Sequence, residues 1–191
     1  KRLTIEAGLR DALTRNEFSL HFQPQFDLAT GLISGMEALL RWTSADLGSV
    51  PPAEFIPVAE ETGLIVPIGE WVLRAACTAA KSWSDEGLPP VRVAVNVSAL
   101  QFSQRTLPTV VASILEQTAL APARLELELT ESLVMKDEAW TMQVIAALKA
   151  IGVSVAIDDF GTGYSSFSRL REFSVDRLKI DRSFVQNMMS R

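Results

Sequence analysis

Cysteine and histidine each occur once in the 191-residue chain, as Cys77 and His21. A single cysteine allows no internal disulfide and fits a reducing compartment. A single histidine excludes a multi-histidine zinc site, and any Ser-His or Cys-His machinery that does not use His21. There is no basic excess: 18 Lys and Arg stand against 23 Asp and Glu, a net charge of −5. That balance argues against a partner that is a nucleic-acid polymer. Small phosphorylated ligands stay open, because a bound cation can reverse a local field. No uncharged apolar run approaches the ~18–20 residues of a membrane-crossing helix, and Lys1–Arg15 lacks a signal-peptide core. Repeats, low-complexity tracts and internal linkers are also missing. Together these absences predict a soluble cytoplasmic domain.

What is present is the composition of an ordinary globular protein, 48% hydrophobic and 21% charged. A chain of this length buries roughly 70% of the surface its unfolded form exposes, enough for one core. Apolar spacing predicts an N-terminal helix within residues 1–16, which could also be the tail of a linker, and a domain over 17–191. Strand patterns follow at 18–22 and 32–40, then helices over 53–61, opened by Pro51-Pro52, and 67–86. From residue 91 the pattern alternates: strands at 91–97, 125–129, 153–157 and 175–180, with helices over 107–117 and 138–151, a short one near 165–171, and a helix start at the end. Such alternation favours a parallel sheet with outer helices.

The strands have a consistent parity. Val91, Val93, Val95 and Val97 share one face, with Arg92, Ala94 and Asn96 opposite. Leu125, Leu127 and Leu129 oppose Glu126 and Glu128, and Val153, Val155 and Ile157 oppose Asp158. In the last strand, Arg177, Lys179 and Asp181 share a face. An open parallel sheet is apolar on both faces. Here the second face is small or charged, with the charge towards the C-terminal ends, as in a (β/α) barrel whose functional groups gather at one mouth. An open sheet with a crevice is the alternative.

That mouth would collect Glu37, Asn96, Glu128, Asp158, Asp159 and Lys179. Five of the six offer oxygen and none sulfur or imidazole, a donor set suited to Mg²⁺ or Mn²⁺. Adjacent carboxylates at Asp158-Asp159 could bridge two ions, an arrangement that assists phosphoryl displacement. Lys179 could hold or deprotonate an attacking water. Each residue alone also reads as a salt bridge, a solvated strand tip or a turn cap; it is their recurrence on successive strand ends that points to a site.

Glu37-Ala38-Leu39 followed by Leu40-Arg41-Trp42 resembles the signature of the EAL domain family, bacterial phosphodiesterases that hydrolyse cyclic di-GMP. The resemblance runs from about Phe18 to the last residue. It includes Phe22-Gln23-Pro24, Asn96-Val97-Ser98, Glu128-Leu129-Thr130-Glu131-Ser132, the stretch Asp158-Asp159-Phe160-Gly161-Thr162-Gly163, and Leu178-Lys179-Ile180-Asp181. It implies a TIM-like α/β barrel and two divalent metal ions, Mg²⁺ or Mn²⁺. Glu37, Asn96, Glu128 and Asp158 match metal ligands, and Asp159 matches a ligand of the second ion. Lys179 matches the residue that positions or activates water, and Glu131 the residue that steadies the loop after Asp158-Asp159. Gln23, Leu39, Arg41 and Asp181 match substrate contacts. The product would be linear pGpG.

The resemblance also implies a homodimer and fusion to sensory, receiver or GGDEF modules, with the domain free in the cytoplasm or the cytoplasmic part of a membrane-anchored sensor. Six strand signals fall short of the eight in a barrel of ~250 residues. The family's closing segments, with a further metal-binding Glu, are not found, so the barrel is expected to lack its last strands and helices. The competing reading is a module that captures cyclic di-GMP, or a protein, without hydrolysis.

Overall fold

The structure is a computed structural model, and it describes residues 2–161 and 173–184. The short helix expected near 165–171 lies outside these residues, as does most of the terminal stretch where a helix start is expected.

The six expected strands are all present, with a seventh short one. The elements run α1 (Arg2–Ala12), β1 (Phe18–Phe26), β2 (Ile33–Ser44), β3 (Gly48–Val50), α2 (Pro52–Glu61), α3 (Ile65–Asp85), β4 (Arg92–Asn96), α4 (Ala99–Ser103), α5 (Leu107–Thr118), β5 (Leu125–Thr130), α6 (Glu131–Val134), α7 (Glu138–Ile151), β6 (Ser154–Phe160) and β7 (Arg177–Ile180). The sheet order is β1-β2-β4-β5-β6-β7, with β3 pairing β2. Strands β2, β4, β5, β6 and β7 are parallel neighbours, whereas β1 runs antiparallel to β2. Short β3 also pairs antiparallel with β2, so β1 and β3 both depart from the expected parallel sheet. A turn held by Asp27, whose carboxylate accepts from the Ala29 and Thr30 N–H groups at 3.0 and 2.8 Å, makes β1 and β2 a hairpin. A hairpin connection cannot join parallel strands.

The outer face of the sheet is the core. Val93, Val95, Leu125, Leu127, Leu129, Val155 and Ile157 are buried against Leu73 of α3, Ile114 of α5, and Ile145 and Leu148 of α7. Helix ends are set by local chemistry. Pro52 fixes φ at the first residue of α2. A Ser98–Gln101 capping box starts α4. Asp137 caps α7 by accepting from the Trp140 N–H at 3.0 Å. At the other end Gly152 adopts φ 98°, which ends α7 in a left-handed residue. Helix α1 packs Ile5, Leu9 and Ala12 into the same core. Gly8 permits this, because a Cβ there would stand 3.1 Å from the Trp42 ring.

Strand β7 begins at Arg177 rather than at Val175 because Asp176 is spent on a neighbour. Its N–H donates to the Val155 carbonyl, and its carboxylate accepts from the Val155 N–H, both at 2.8 Å, while also pairing with Lys149 of α7. Burial pushes this carboxyl up, but the Lys149 and Val155 hydrogen bonds and the charges of Lys149 and Arg177 outweigh it and hold it below the usual range. A depressed carboxyl stabilises the fold above its unfolded pKa, and that contribution is lost as pH falls through the folded value. Asp176→Ala is therefore expected to cost about 1 kcal/mol near neutral pH, since solvent screens a pair this exposed. The difference should shrink between about pH 5 and pH 3, as followed by urea unfolding.

Candidate active site

The inner face of the sheet carries the charge. On β2, Glu37, Leu39 and Arg41 share this face, while Ala38 and Trp42 are buried on the other. Gln23 of β1 stands directly across from Glu37 in the register. Asn96 ends β4, Glu128 lies on β5, Asp158 on β6 and Lys179 on β7.

Hydrogen bonds join five of these residues. Lys179 Nζ donates to Glu128 Oε2 at 2.5 Å, Asp158 Oδ2 at 2.8 Å and Glu37 Oε2 at 3.2 Å. Asn96 Nδ2 donates to Glu37 Oε1 at 3.0 Å. Oxygens of Glu37, Glu128 and Asp158 lie within 4.8 Å of one another. Three carboxylates thus face one ammonium, leaving an excess of negative charge.

The cost of that crowding falls on Glu128, which is fully buried. Its carboxyl is raised to about 7, chiefly by burial; Lys179 opposes the rise through a hydrogen bond and its charge, and Glu37 and Asp158 add to it. Burial draws the Lys179 ammonium down. Hydrogen bonds to Asp158 and Glu128 and the charges of Glu128 and Glu37 more than offset this, holding it above the usual lysine range. Glu128 Oε1 is buried and has no hydrogen-bond partner among the described residues. An orphaned carboxylate oxygen amid further carboxylates and an amide oxygen fits a hard divalent cation, which takes oxygen ligands.

Asp159 follows Asp158 through a device that strand alternation hides, and it stands outside the group formed by Glu37, Glu128 and Asp158. Ile157 pairs with Leu178 and Phe160 with Ile180, so Asp158 and Asp159 together oppose the single residue Lys179. This is a β-bulge, and Asp159 takes φ 54°, left-handed for a residue other than glycine. Asp tolerates that region better than most side chains. Asp158 Oδ1 accepts from the Asp159 N–H at 2.9 Å. Burial raises the Asp159 carboxyl, as do the Asp158 and Asp181 charges. The sequence did hold a signal: two successive acids where alternation allows one, followed by Phe160-Gly161.

Glu131 opens α6 just past β5 and is buried. Its Oε2 accepts from the Gly161 N–H at 2.7 Å, tying α6 to the backbone that leaves the bulge. The remaining candidates are engaged locally. Arg41 Nη1 donates to the Leu40 carbonyl at 2.9 Å. Asp181 accepts from the Ser183 N–H at 2.9 Å and from its hydroxyl. A cavity of about 780 Å³ between α4, α6 and α7, lined in part by Phe102, Leu133 and Trp140, does not include Glu37, Glu128, Asp158 or Asp159.

A family model described as the EAL domain matches residues 6–191. MucR of Pseudomonas aeruginosa, named a bifunctional diguanylate cyclase/cyclic di-GMP phosphodiesterase, is 44% identical over 98% of this chain and 27% of its own length. An uncharacterised signalling protein of Caulobacter vibrioides is 47% identical over 98% of this chain and 23% of its own length. The solved structure of the PaMucR phosphodiesterase in complex with c-di-GMP superposes with a TM-score of 0.94 at 43% identity. That match covers 98% of this chain and 76% of the other. The chain thus spans about a quarter of the length of the curated relatives it matches.

Proposed function

The chain belongs to the EAL domain family, and from that premise we propose that it hydrolyses cyclic di-GMP to linear pGpG with the help of divalent metal ions. The observation that carries this reading is the convergence of Glu37, Glu128 and Asp158 from three strands within 4.8 Å, with one buried oxygen of Glu128 left unpartnered. Asn96, hydrogen-bonded to Glu37, completes the ligands proposed for one ion. Asp158 and Asp159, turned side by side through the bulge, would reach a second. The all-oxygen donor set selects Mg²⁺ or Mn²⁺. When bound, such ions place positive charge beside the attacking and leaving oxygens of a phosphodiester.

The chain's own residues do the rest. Lys179 presents an ammonium at the centre of the carboxylates and holds the attacking water. Glu131 fixes the backbone at Gly161, and with it the bulge that aims Asp159. Gln23, Leu39, Arg41 and Asp181 line the lip and meet the nucleotide. Arg41 has the planar fork that suits a phosphate oxygen. Water adds across one P–O3′ bond, so a 3′-hydroxyl leaves and a 5′-phosphate forms.

The greater length of the relatives accords with 17–191 being one catalytic module, preceded by the α1 segment and fused to sensory, receiver or GGDEF partners. We assign it to the cytoplasm and to a homodimer. Among the described residues, no helix is long and apolar enough to cross a membrane. The test is incubation of cyclic di-GMP with the protein and Mn²⁺ or Mg²⁺, followed by chromatography. pGpG should accumulate and should stop on addition of a chelator. Turnover that persists after thorough chelation would refute the metal-dependent reading.

A further inference from the structure

Beneath the carboxylate cluster lies a second charged layer. Glu126, two residues before Glu128 on β5, is 1% exposed and sits between two guanidinium groups. Arg92 Nε lies 3.0 Å from Glu126 Oε1, and Arg177 Nε lies 3.3 Å from Glu126 Oε2. Arg92 also donates from Nη2 to Gln25 Oε1 at 3.0 Å. Gly35 leaves room for this contact: a Cβ there would stand 2.9 Å from Gln25 Oε1 and 3.1 Å from Arg92 Nη2.

The interior of a barrel is ordinarily filled by branched apolar residues. Replacing a buried ion network by apolar side chains often costs nothing in stability. A charged layer at this depth therefore invites an explanation other than stability, and its connections supply one. Strands β5 and β7 do not pair directly, because β6 runs between them. They are joined over the face of β6 by two ion pairs, Glu126–Arg177 and Glu128–Lys179, offset by two residues on each strand. Below Asp158, the residues of β6 on this face are Ser154 and Ala156, small enough to let the long side chains meet.

We propose that the Arg92–Glu126–Arg177 layer is a positioning element of the metal centre: by locking β7 to β5 it sets where Lys179 and Glu128 stand, without itself touching substrate. The proposal rests on the metal-dependent reading above. It predicts a loss in the metal-binding step that does not depend on which substrate is turned over.

The test compares Glu126→Gln, Arg177→Met and Arg177→Lys with the parent protein. Mn²⁺ alone is the first probe, its affinity read by electron paramagnetic resonance, and amide hydrogen exchange over β7 is followed in the metal-free protein. Glu126→Gln and Arg177→Met should weaken Mn²⁺ binding and lower kcat by about 10–100-fold, with KM for cyclic di-GMP little changed. Exchange over β7 should accelerate. Arg177→Lys keeps the charge and should recover most of the loss. If Glu126→Gln fails to fold, Arg177→Met at the more exposed end of the network carries the comparison. Folded variants with the parent's Mn²⁺ affinity would overturn the proposal. If the parent binds Mn²⁺ but leaves cyclic di-GMP intact, the substrate reading fails, and the Mn²⁺ and exchange measurements still decide the positioning role.

Discussion

Lys179→Met should reduce cyclic di-GMP turnover by about 10²–10³-fold, the scale expected when one fixed charge is removed from a preorganised site. The same change should make the folded protein more dependent on metal. Lys179 is the ammonium that Glu37, Glu128 and Asp158 all accept from, at 3.2, 2.5 and 2.8 Å. Without it, one buried and two half-buried carboxylates repel one another with no cation between them. Each such group left without a partner costs about 1–3 kcal/mol. A divalent ion supplies the missing charge, so Mn²⁺ should raise the melting temperature of the variant more than that of the parent, by mass action on the native state. Calorimetry with and without Mn²⁺, beside an activity assay, checks both halves. Normal turnover in Lys179→Met would remove this residue from the mechanism. An equal metal response in both proteins would mean that the ammonium does not balance the cluster.

The second large effect is on stability. Trp42 is 1% exposed and lies at the junction of α1, β2 and α2. Its ring packs edge-on against Phe55 at 5.6 Å between centroids and tilted against Phe18 at 6.2 Å. Its indole N–H donates to Glu17 Oε2 at 2.9 Å, and that carboxylate also accepts from the Ala45 N–H at 3.0 Å. Trp42→Ala should destabilise the fold by about 3–5 kcal/mol through lost contacts and the cavity left behind. That corresponds to a fall of roughly 10 °C in Tm for a domain of this size. Turnover per folded molecule should be nearly unchanged, because Trp42 points to the opposite side of β2 from Glu37. A loss of activity in the fully folded variant would show that α1 docking controls the site.

How much of this was legible in the sequence depends on which interaction set each feature. The core strands were readable because burial under helices imposes a period of two: Val93, Val95, Leu125, Leu127 and Leu129 are all buried where alternation puts them. The acidic cluster was legible in part for the same reason, since parity carried Asn96, Glu128 and Asp158 to one face. The bulge was not. Alternation would send Asp159 away from the site, and only the register between β6 and β7 shows two residues opposing one.

The layer of Arg92, Glu126 and Arg177 was visible as charge but not as a network. Pairing across an intervening strand depends on the smallness of Ser154 and Ala156, and no local pattern of β5 or β7 reports that. The direction of β1 followed the same rule. It was decided by the Asp27 turn, a side-chain contact local enough to read, whereas its strand reads alike in either direction. Short α4 and α6 were missed because four or five residues carry no helical period; only caps such as Ser98 with Gln101 mark them.

On this reading the chain adds water to one phosphodiester of cyclic di-GMP with the help of a divalent ion held by these carboxylates. The most direct test is to run that reaction with Mn²⁺ in ¹⁸O-enriched water and weigh the product. The expected product is pGpG with one ¹⁸O in its 5′-phosphate, and none should form in the presence of a chelator. Cyclic di-GMP recovered intact from a protein saturated with both nucleotide and Mn²⁺ would contradict it, and would leave a receptor in place of an enzyme.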